Sequence, residues 1–253
     1  QDVMFISRPM GRKNAIGGMF IPELIILLPT KNEQEGVGEV IDRIPLEEIA
    51  KLGFNASVVI ADGKSTDLTC KIGEEKGARI VPQRGPDGKG NGVRQALEVI
   101  FDEYDENPDS ILIMLDADAT YSPEDIPRFI ESLHGRDVVW GSRLRGKIEK
   151  KSMSRTNWIG NWLLSMVASI VFIKRTTDLC TGYWAFNLNS LRKLPLTAEG
   201  FNLEADLFAS VVKSKMKTLE IPIDYAHREG ESSLKWYKDG PRILMMTISQ
   251  RFK

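Results

Sequence analysis

The stretch ILIMLDADATYSPED, Ile111 to Asp125, decides the fold. Its apolar run, Ile111 to Leu115, ends in two aspartates, Asp116 and Asp118, with only Ala117 between them. A buried strand does not normally close on paired negative charge unless a cation belongs there. Successive strand side chains point to opposite faces, so Asp116 and Asp118 share a side, and Ala117 is small enough to let a ligand approach. Two hard carboxylate oxygens at a strand end suit Mg2+ or Mn2+, which takes its other ligands from water and phosphate. The competing reading is a solvated loop with an Asx turn before Ser122-Pro123.

Working outward, the first half alternates short apolar runs with helical patterns, as a parallel βαβ sheet does. Glu23 to Leu28 reads as a buried strand ended by Pro29, and residues 37–52 as a helix. Ser57 to Ala61 reads as a strand, residues 67–77 as a helix, Arg79 to Val81 as a strand and Val93 to Tyr104 as a helix. Ligands of open α/β sheets bind beyond the carboxyl ends of the strands. Thr30, Asn32, Glu33, Asp62, Lys89, Asp116 and Asp118 all fall there. Each acidic residue alone could simply cap a helix. Their concentration at one edge is harder to assign to capping. The second half offers Asp137 to Arg143, Gly182 to Asn187 and Leu219 to Asp224 as further strands, and such a half usually supplies the second substrate's surface.

Composition narrows the classes. Lys and Arg number 34 against 35 Asp and Glu, so no general field for a polyanion exists and no nucleic-acid partner is expected. Cys70 and Cys180 stand far apart, outside any C-x-x-C pair, which argues against a zinc site or disulfide framework. His134 and His227 are the only two histidines, and neither sits in an evident catalytic group.

LLPTKNE (Leu27 to Glu33), IADGKSTDLT (Ile60 to Thr69), GKGNGVRQAL (Gly88 to Leu97) and LDADAT (Leu115 to Thr120) resemble, in that order, the motifs of family 2 glycosyltransferases of the GT-A fold. GSR (Gly141 to Arg143), TDLCTGYWAFN (Thr177 to Asn187) and HREGESSLK (His227 to Lys235) look like the branch typified by dolichyl-phosphate mannose synthase and its glucose counterpart. The resemblance implies a Rossmann-like, mostly parallel sheet flanked by helices, with a C-terminal acceptor-binding part and amphipathic interface helices. It implies a GT-A domain over 23–240, with a nucleotide-sugar half (23–125) and an acceptor half (126–240); outside it, the short, broken apolar pattern of residues 1–22 reads as a flexible extension, and Ile243, Leu244, Met245, Met246 and Ile248 make 241–253 a candidate interface helix. Pro29, Thr30, Glu33 and Asp62 would hold nucleobase and ribose, Lys89 would face the nucleotide, and Asp116, Ala117 and Asp118 would line the donor diphosphate, the two aspartates holding the metal. Arg143, Arg155, Arg228 and Lys235 would bind the acceptor phosphate, with Asp116, Asp118, Arg143 and Arg228 as the catalytic set. The activity implied is metal-dependent, inverting transfer of a hexose from GDP-mannose or UDP-glucose to dolichyl or other polyprenyl phosphate, at the cytoplasmic face of a membrane. Two positions depart from the pattern. Asp62-Gly63-Lys64-Ser65 carries one acidic residue where the family has a pair, and Arg228-Glu-Gly-Glu-Ser-Ser-Leu-Lys235 displaces the lysine.

A lipid acceptor should leave an apolar signature. Residues 156–173 carry no charge, yet Asn157, Asn161, Ser165 and Ser169 recur every fourth position, opposite Trp158, Ile159, Trp162, Leu163, Met166, Val167 and Ile170. That stripe argues for a helix lying in a membrane interface rather than spanning it; a buried core helix is the alternative. Other functions compatible with the motifs are transfer to a soluble phosphorylated acceptor, nucleotidyl transfer, and nucleotide-sugar binding without turnover. Asp178, Glu204 and Asp206 are further carboxylates without an assigned role.

Overall fold

The computed structural model describes residues 15–16, 19–104, 108–227 and 236–252. A short ladder, β1 (Ala15–Ile16) against β2 (Met19–Phe20), precedes the sheet. There follow β3 (Glu23–Thr30), α1 (Val37–Asp42), α2 (Leu46–Lys51), β4 (Asn55–Asp62), α3 (Thr69–Glu75), β5 (Arg79–Pro82), α4 (Lys89–Glu103) and β6 (Ile111–Met114). The second half adds α5 (Ile126–Leu133), β7 (Val138–Ser142), α6 (Arg155–Phe172), β8 (Trp184–Asn187), α7 (Leu188–Leu191), α8 (Leu203–Lys213), β9 (Thr218–Pro222) and α9 (Trp236–Phe252).

Seven strands form one sheet in the order β5-β4-β3-β6-β8-β7-β9. β8 runs antiparallel to both its neighbours, and the remaining pairs are parallel. The apolar runs are continuous because both faces of the sheet are covered. Ile25, Leu27, Val59, Leu112 and Met114 pack on the side of α4, α6 and α8. Leu24, Ile26, Leu28, Val58 and Ile113 pack on the side of α1, α2 and α5. The chain moves from β3 through β4 to β5, then returns to place β6 on the other side of β3. That reversal opens a crevice at the carboxyl ends of β3 and β6, the usual ligand position in such sheets.

Local departures from the sequence reading have local causes. Pro29 does not end its strand: it stays in register with Ala61 of β4. The ladder to β6 stops at Leu27 against Met114, so the donor that proline lacks is not required on that side. The helix expected over 37–52 breaks into α1 and α2, with Pro45 preceding Leu46. α4 starts at Lys89 rather than Val93, because Gly90 and Gly92 pack closely and tertiary contact outweighs their poor helix propensity.

Candidate active site

The loops after β3 and β4 lock each other. Asp62 ends β4 and accepts from the amide of Ser65 (3.1 Å), while Asn32, at φ 57°, accepts from the amide of Thr66 (2.8 Å). Ser65 Oγ in turn accepts from the Asn32 amide (2.9 Å), and Thr69 Oγ1 from the Glu33 amide (2.8 Å). Asp67 bonds Thr69 through both its amide and its hydroxyl. Asp62 thus closes the loop at Ser65 rather than capping α3, whose N-cap Leu68 has no side-chain bond, and so shapes the wall that carries Thr30 and Glu33. Burial, reinforced by the Asp62 carboxylate, pushes the Cys70 thiol up to about 11, so it stays protonated and inert at neutral pH. The side-chain oxygens Thr30 Oγ1 and Gln83 Oε1 are buried at this edge without a hydrogen-bond partner.

Lys89 lies at the start of α4 and reaches across the crevice. Its ammonium donates to Asp116 Oδ1 at 2.6 Å and to Glu204 Oε1 at 2.8 Å. Burial alone would favour the neutral amine, but the two carboxylates outweigh it and raise the lysine pKa, so the cation persists. The turn delivering Lys89 is packed against residues 198–200: a Cβ added at Gly88 would lie 2.1 Å from the Glu199 carbonyl oxygen, and one at Gly90 2.4 Å from that of Ala198. Gly90→Ala should therefore displace Lys89 and weaken nucleoside diphosphate affinity by about tenfold or more, since a charge-assisted contact contributes ~1.5–3 kcal/mol. Calorimetric titration of the variant checks this; unchanged affinity would detach Lys89 from the donor.

Asp118 is almost fully buried, and its Oδ1 accepts from the Thr120 amide (3.2 Å) and hydroxyl (2.6 Å). Its loop leans on α1, where a Cβ at Gly36 would meet the Ala117 carbonyl oxygen at 2.6 Å. Gly182, whose amide donates a hydrogen bond to Tyr121 Oη (2.8 Å), leaves just enough room for Asp116: a Cβ there would stand 2.5 Å from Oδ2.

On the second-half side, Arg143 is buried against Asp178. Nε donates to Oδ2 and Nη2 to Oδ1, both at 2.7 Å, and Nη2 also to the Cys180 carbonyl (2.7 Å). Burial disfavours the guanidinium, yet Asp178 more than compensates and holds it charged. Tyr225 covers it, with the guanidinium carbon 5.2 Å from the ring centre. Asp178 is completed by Asn161 Nδ2 at 2.6 Å. The polar stripe of α6 thus faces inward: Ser165 Oγ accepts from the Leu179 amide (2.8 Å), and Ser169 Oγ from that of Thr176 (3.0 Å). Ala168 and Phe172 join the core beside this stripe, whereas Trp158, Ile159, Trp162, Leu163, Met166 and Ile170 face outward and are all exposed. The core-helix alternative does not hold for this face.

Residues 25–194 match glycosyl transferase family 2. The chain belongs to that family. It is therefore a glycosyltransferase, and the strand-end carboxylates lie at the edge where its sheet topology places a ligand. Glycosyltransferase AglJ of Haloferax volcanii is 32% identical over 231 residues, covering 90% of this chain and 71% of its own length. The same organism's dolichyl-phosphate hexose transferase is 31% identical over 226 residues, covering 87% and 90% respectively. Among solved structures, glucosyl-3-phosphoglycerate synthase of Mycobacterium tuberculosis, in complex with Mn2+ and UDP-glucose, shares the GT-A fold with a TM-score of 0.65. Identity to it is 20%, covering 91% of this chain and 79% of that one.

In this glycosyltransferase the structure gathers Pro29, Thr30, Glu33, Asp62, Lys89, Asp116, Ala117 and Asp118 at one edge of the sheet. Arg143 is not the open clamp that the sequence suggested, because Asp178 already engages its fork. Arg155 is exposed at the start of α6. Arg228 and Lys235 lie outside the described residues. Glu204, left without a role by the sequence, is the second carboxylate on Lys89. Asp116 and Asp118 stand in the loop that follows Met114, where β6 ends, and two carboxylates are donors of the kind a hard divalent cation takes; no group of three or more His, Cys, Asp or Glu that could hold a metal ion occurs among the described residues. Mg2+ and Mn2+ on nucleotides are commonly held that way, by one or two carboxylates plus phosphate and water.

Proposed function

We propose that this glycosyltransferase moves a hexose from a nucleotide-diphosphate sugar to a polyprenyl phosphate such as dolichyl phosphate, at the cytoplasmic surface of a membrane and with inversion. The observation that carries the lipid half of this reading is α6, whose polar stripe is spent inside the protein while its tryptophans face out. α9 packs against α6 and extends the exposed apolar surface with Met245, Ile248 and Phe252. Exposed Arg155, Arg175, Arg242 and Arg251 lie on or beside these helices and suit anionic headgroups. No described helix is long and apolar enough to cross a membrane. The likeness to dolichyl-phosphate hexose transferase supports the same acceptor.

Pro29, Thr30, Glu33 and Asp62 form the nucleobase and ribose wall of residues 23–125. Asp116 and Asp118 would hold Mg2+ or Mn2+, which supplies positive charge to the leaving diphosphate. Lys89 adds a fixed cation beside Asp116, and Glu204 keeps it in place. On the acceptor side, Arg155, Arg228 and Lys235 attract the phosphate, while Arg143 holds the 178–180 segment. A phosphate monoester has its second pKa at ~6 and is already largely anionic near neutrality, so no strong general base is needed. Its oxygen attacks the anomeric carbon as the bond to the nucleoside diphosphate breaks on the opposite side.

Incubating a panel of nucleotide sugars with polyprenyl phosphate and Mg2+ or Mn2+, then weighing the lipid product by mass spectrometry, tests the reading and identifies the donor. A sugar-free lipid with every donor would overturn it. The surface reading makes its own prediction. Trp158 and Trp162 are 40% and 47% exposed. Burying roughly 100 Å² more of each in lipid, at ~25 cal/mol per Å², contributes about 2.5 kcal/mol per ring. Trp158→Glu with Trp162→Glu should release the protein from sedimenting liposomes and leave its melting temperature nearly unchanged. Unfolding of this variant would instead assign the two rings to the core.

A further inference from the structure

A chain of buried polar contacts ties α9 to the donor edge, and the chemistry above does not use it. Gln250, in the last turn of α9, is 5% exposed. Its Nε2 donates to Asp206 Oδ1 at 2.6 Å and to Thr197 Oγ1 at 3.1 Å. Asp206, in the first turn of α8, is fully buried, and its Oδ2 accepts from the amides of Thr197 (2.6 Å) and Ala198 (2.7 Å). These donors are neutral amides rather than a cation. A buried carboxylate held in this way depends on every donor it has.

The loop that Asp206 holds is the seat of Lys89. The Asn91 amide donates to the Glu199 carbonyl at 3.0 Å and the Gly90 amide to that of Gly200 at 3.3 Å. Neither Gly88 nor Gly90 has room for a side chain against residues 198–200. Glu204, the second partner of Lys89, stands two positions before Asp206 on the same helix. The path therefore runs from a lipid-facing helix to Lys89 and Asp116 without leaving hydrogen-bonding distance or direct packing.

We propose that Gln250 and Asp206 are a positioning pair through which lipid contact on α9 sets Lys89 at the nucleotide-sugar site; this rests on the lipid-surface reading of α6 and α9. Ile243 and Met246 seat the middle of α9 on the core, but Ile248 and Phe252, on either side of Gln250, are 42% and 85% exposed, so in water the last turn has little apolar burial of its own. A lipid surface that covers them favours the docked helix, in which Gln250 reaches Asp206. A ligand shifts such an equilibrium by its differential affinity for the two states, and the coupling is reciprocal. Lipid should tighten the nucleotide sugar, and the nucleotide sugar should tighten lipid binding by the same factor.

The test uses phosphatidylcholine and phosphatidylglycerol vesicles lacking any polyprenyl phosphate, so that no turnover occurs. UDP-glucose and GDP-mannose, each with Mn2+, are titrated by calorimetry into the wild type and into Gln250→Leu, with and without vesicles. Hydrogen exchange at the Thr197 and Ala198 amides is followed in parallel. For the donor that binds, vesicles should tighten the wild type by about fivefold or more, the lower end of typical coupling between sites. They should also slow exchange at both amides. Gln250→Leu should still sediment with vesicles yet lose both responses, and Gln250→Asn should recover part of them. A wild type that sediments without a change in exchange overturns the relay alone, even if Gln250→Leu fails to fold. A wild type that does not sediment overturns the lipid-surface reading and the relay together.

Discussion

Asp118→Asn should fold like the wild type and lower the transfer rate by about a hundredfold or more, on the scale of ~1.4 kcal/mol per decade. The asparagine amide keeps a carbonyl oxygen for the Thr120 amide and hydroxyl, the two bonds that shape the loop. It lacks the negative charge that retains a divalent ion against a diphosphate, and metal stabilisation of departing charge is typically several kcal/mol. The fold control is a melting temperature within about 2–4 °C of wild type, corresponding to ~1 kcal/mol in a chain of this size. The activity readout is steady-state release of nucleoside diphosphate at saturating Mn2+. Wild-type turnover by the variant in the presence of EDTA would remove the metal from the account.

Arg143→Ala should behave differently, because its first effect is on stability. The substitution strands Asp178, which has no exposed surface, with only neutral donors, the residue 143 amide and Asn161 Nδ2, in place of its cation. Breaking a buried ion pair from one side costs about 3–5 kcal/mol, which corresponds to a fall of roughly 10 °C in melting temperature. Replacing both partners, Arg143→Met with Asp178→Asn, should restore much of that loss, since the neutral amide needs no counter-ion and its oxygen still accepts from the buried Asn161 side chain. The sequence assigns Arg143 to the acceptor phosphate, and that assignment expects a full-stability variant with a raised KM for lipid phosphate. Thermal melts of the single and double variants separate the two.

Much of the first half of the sheet was legible in the sequence because local signals carried it. Leu24 to Leu28 and Ile111 to Leu115 read as strands buried on both faces, and the topology then put Thr30, Asp62, Asp116 and Asp118 on one edge. The partners of these residues were not legible. Lys89 meets Glu204 across 115 positions and Gln250 meets Asp206 across 44, and no periodicity connects them. The α6 stripe shows a different limit. A pattern at helical spacing fixes two faces but not which one is turned inward, and here Asn161 and Ser165 are buried and Ser169 half-buried because residues 176–180 carry backbone donors that need them. The Asp178 partner of Arg143 was hidden for a related reason: a strand-end arginine has the same sequence signature whether it awaits a phosphate or already holds an aspartate.

Transfer to a lipid phosphate shows itself in the acceptor dependence of nucleoside diphosphate release. With the donor that the panel identifies held at saturation, polyprenyl phosphate in vesicles is titrated beside 3-phosphoglycerate at matched phosphate concentration. Release that rises and saturates with the lipid phosphate, yields glycosylated lipid in equal amount, and stays at background with 3-phosphoglycerate is the expected result. Saturating release with 3-phosphoglycerate and none with the lipid would contradict the account.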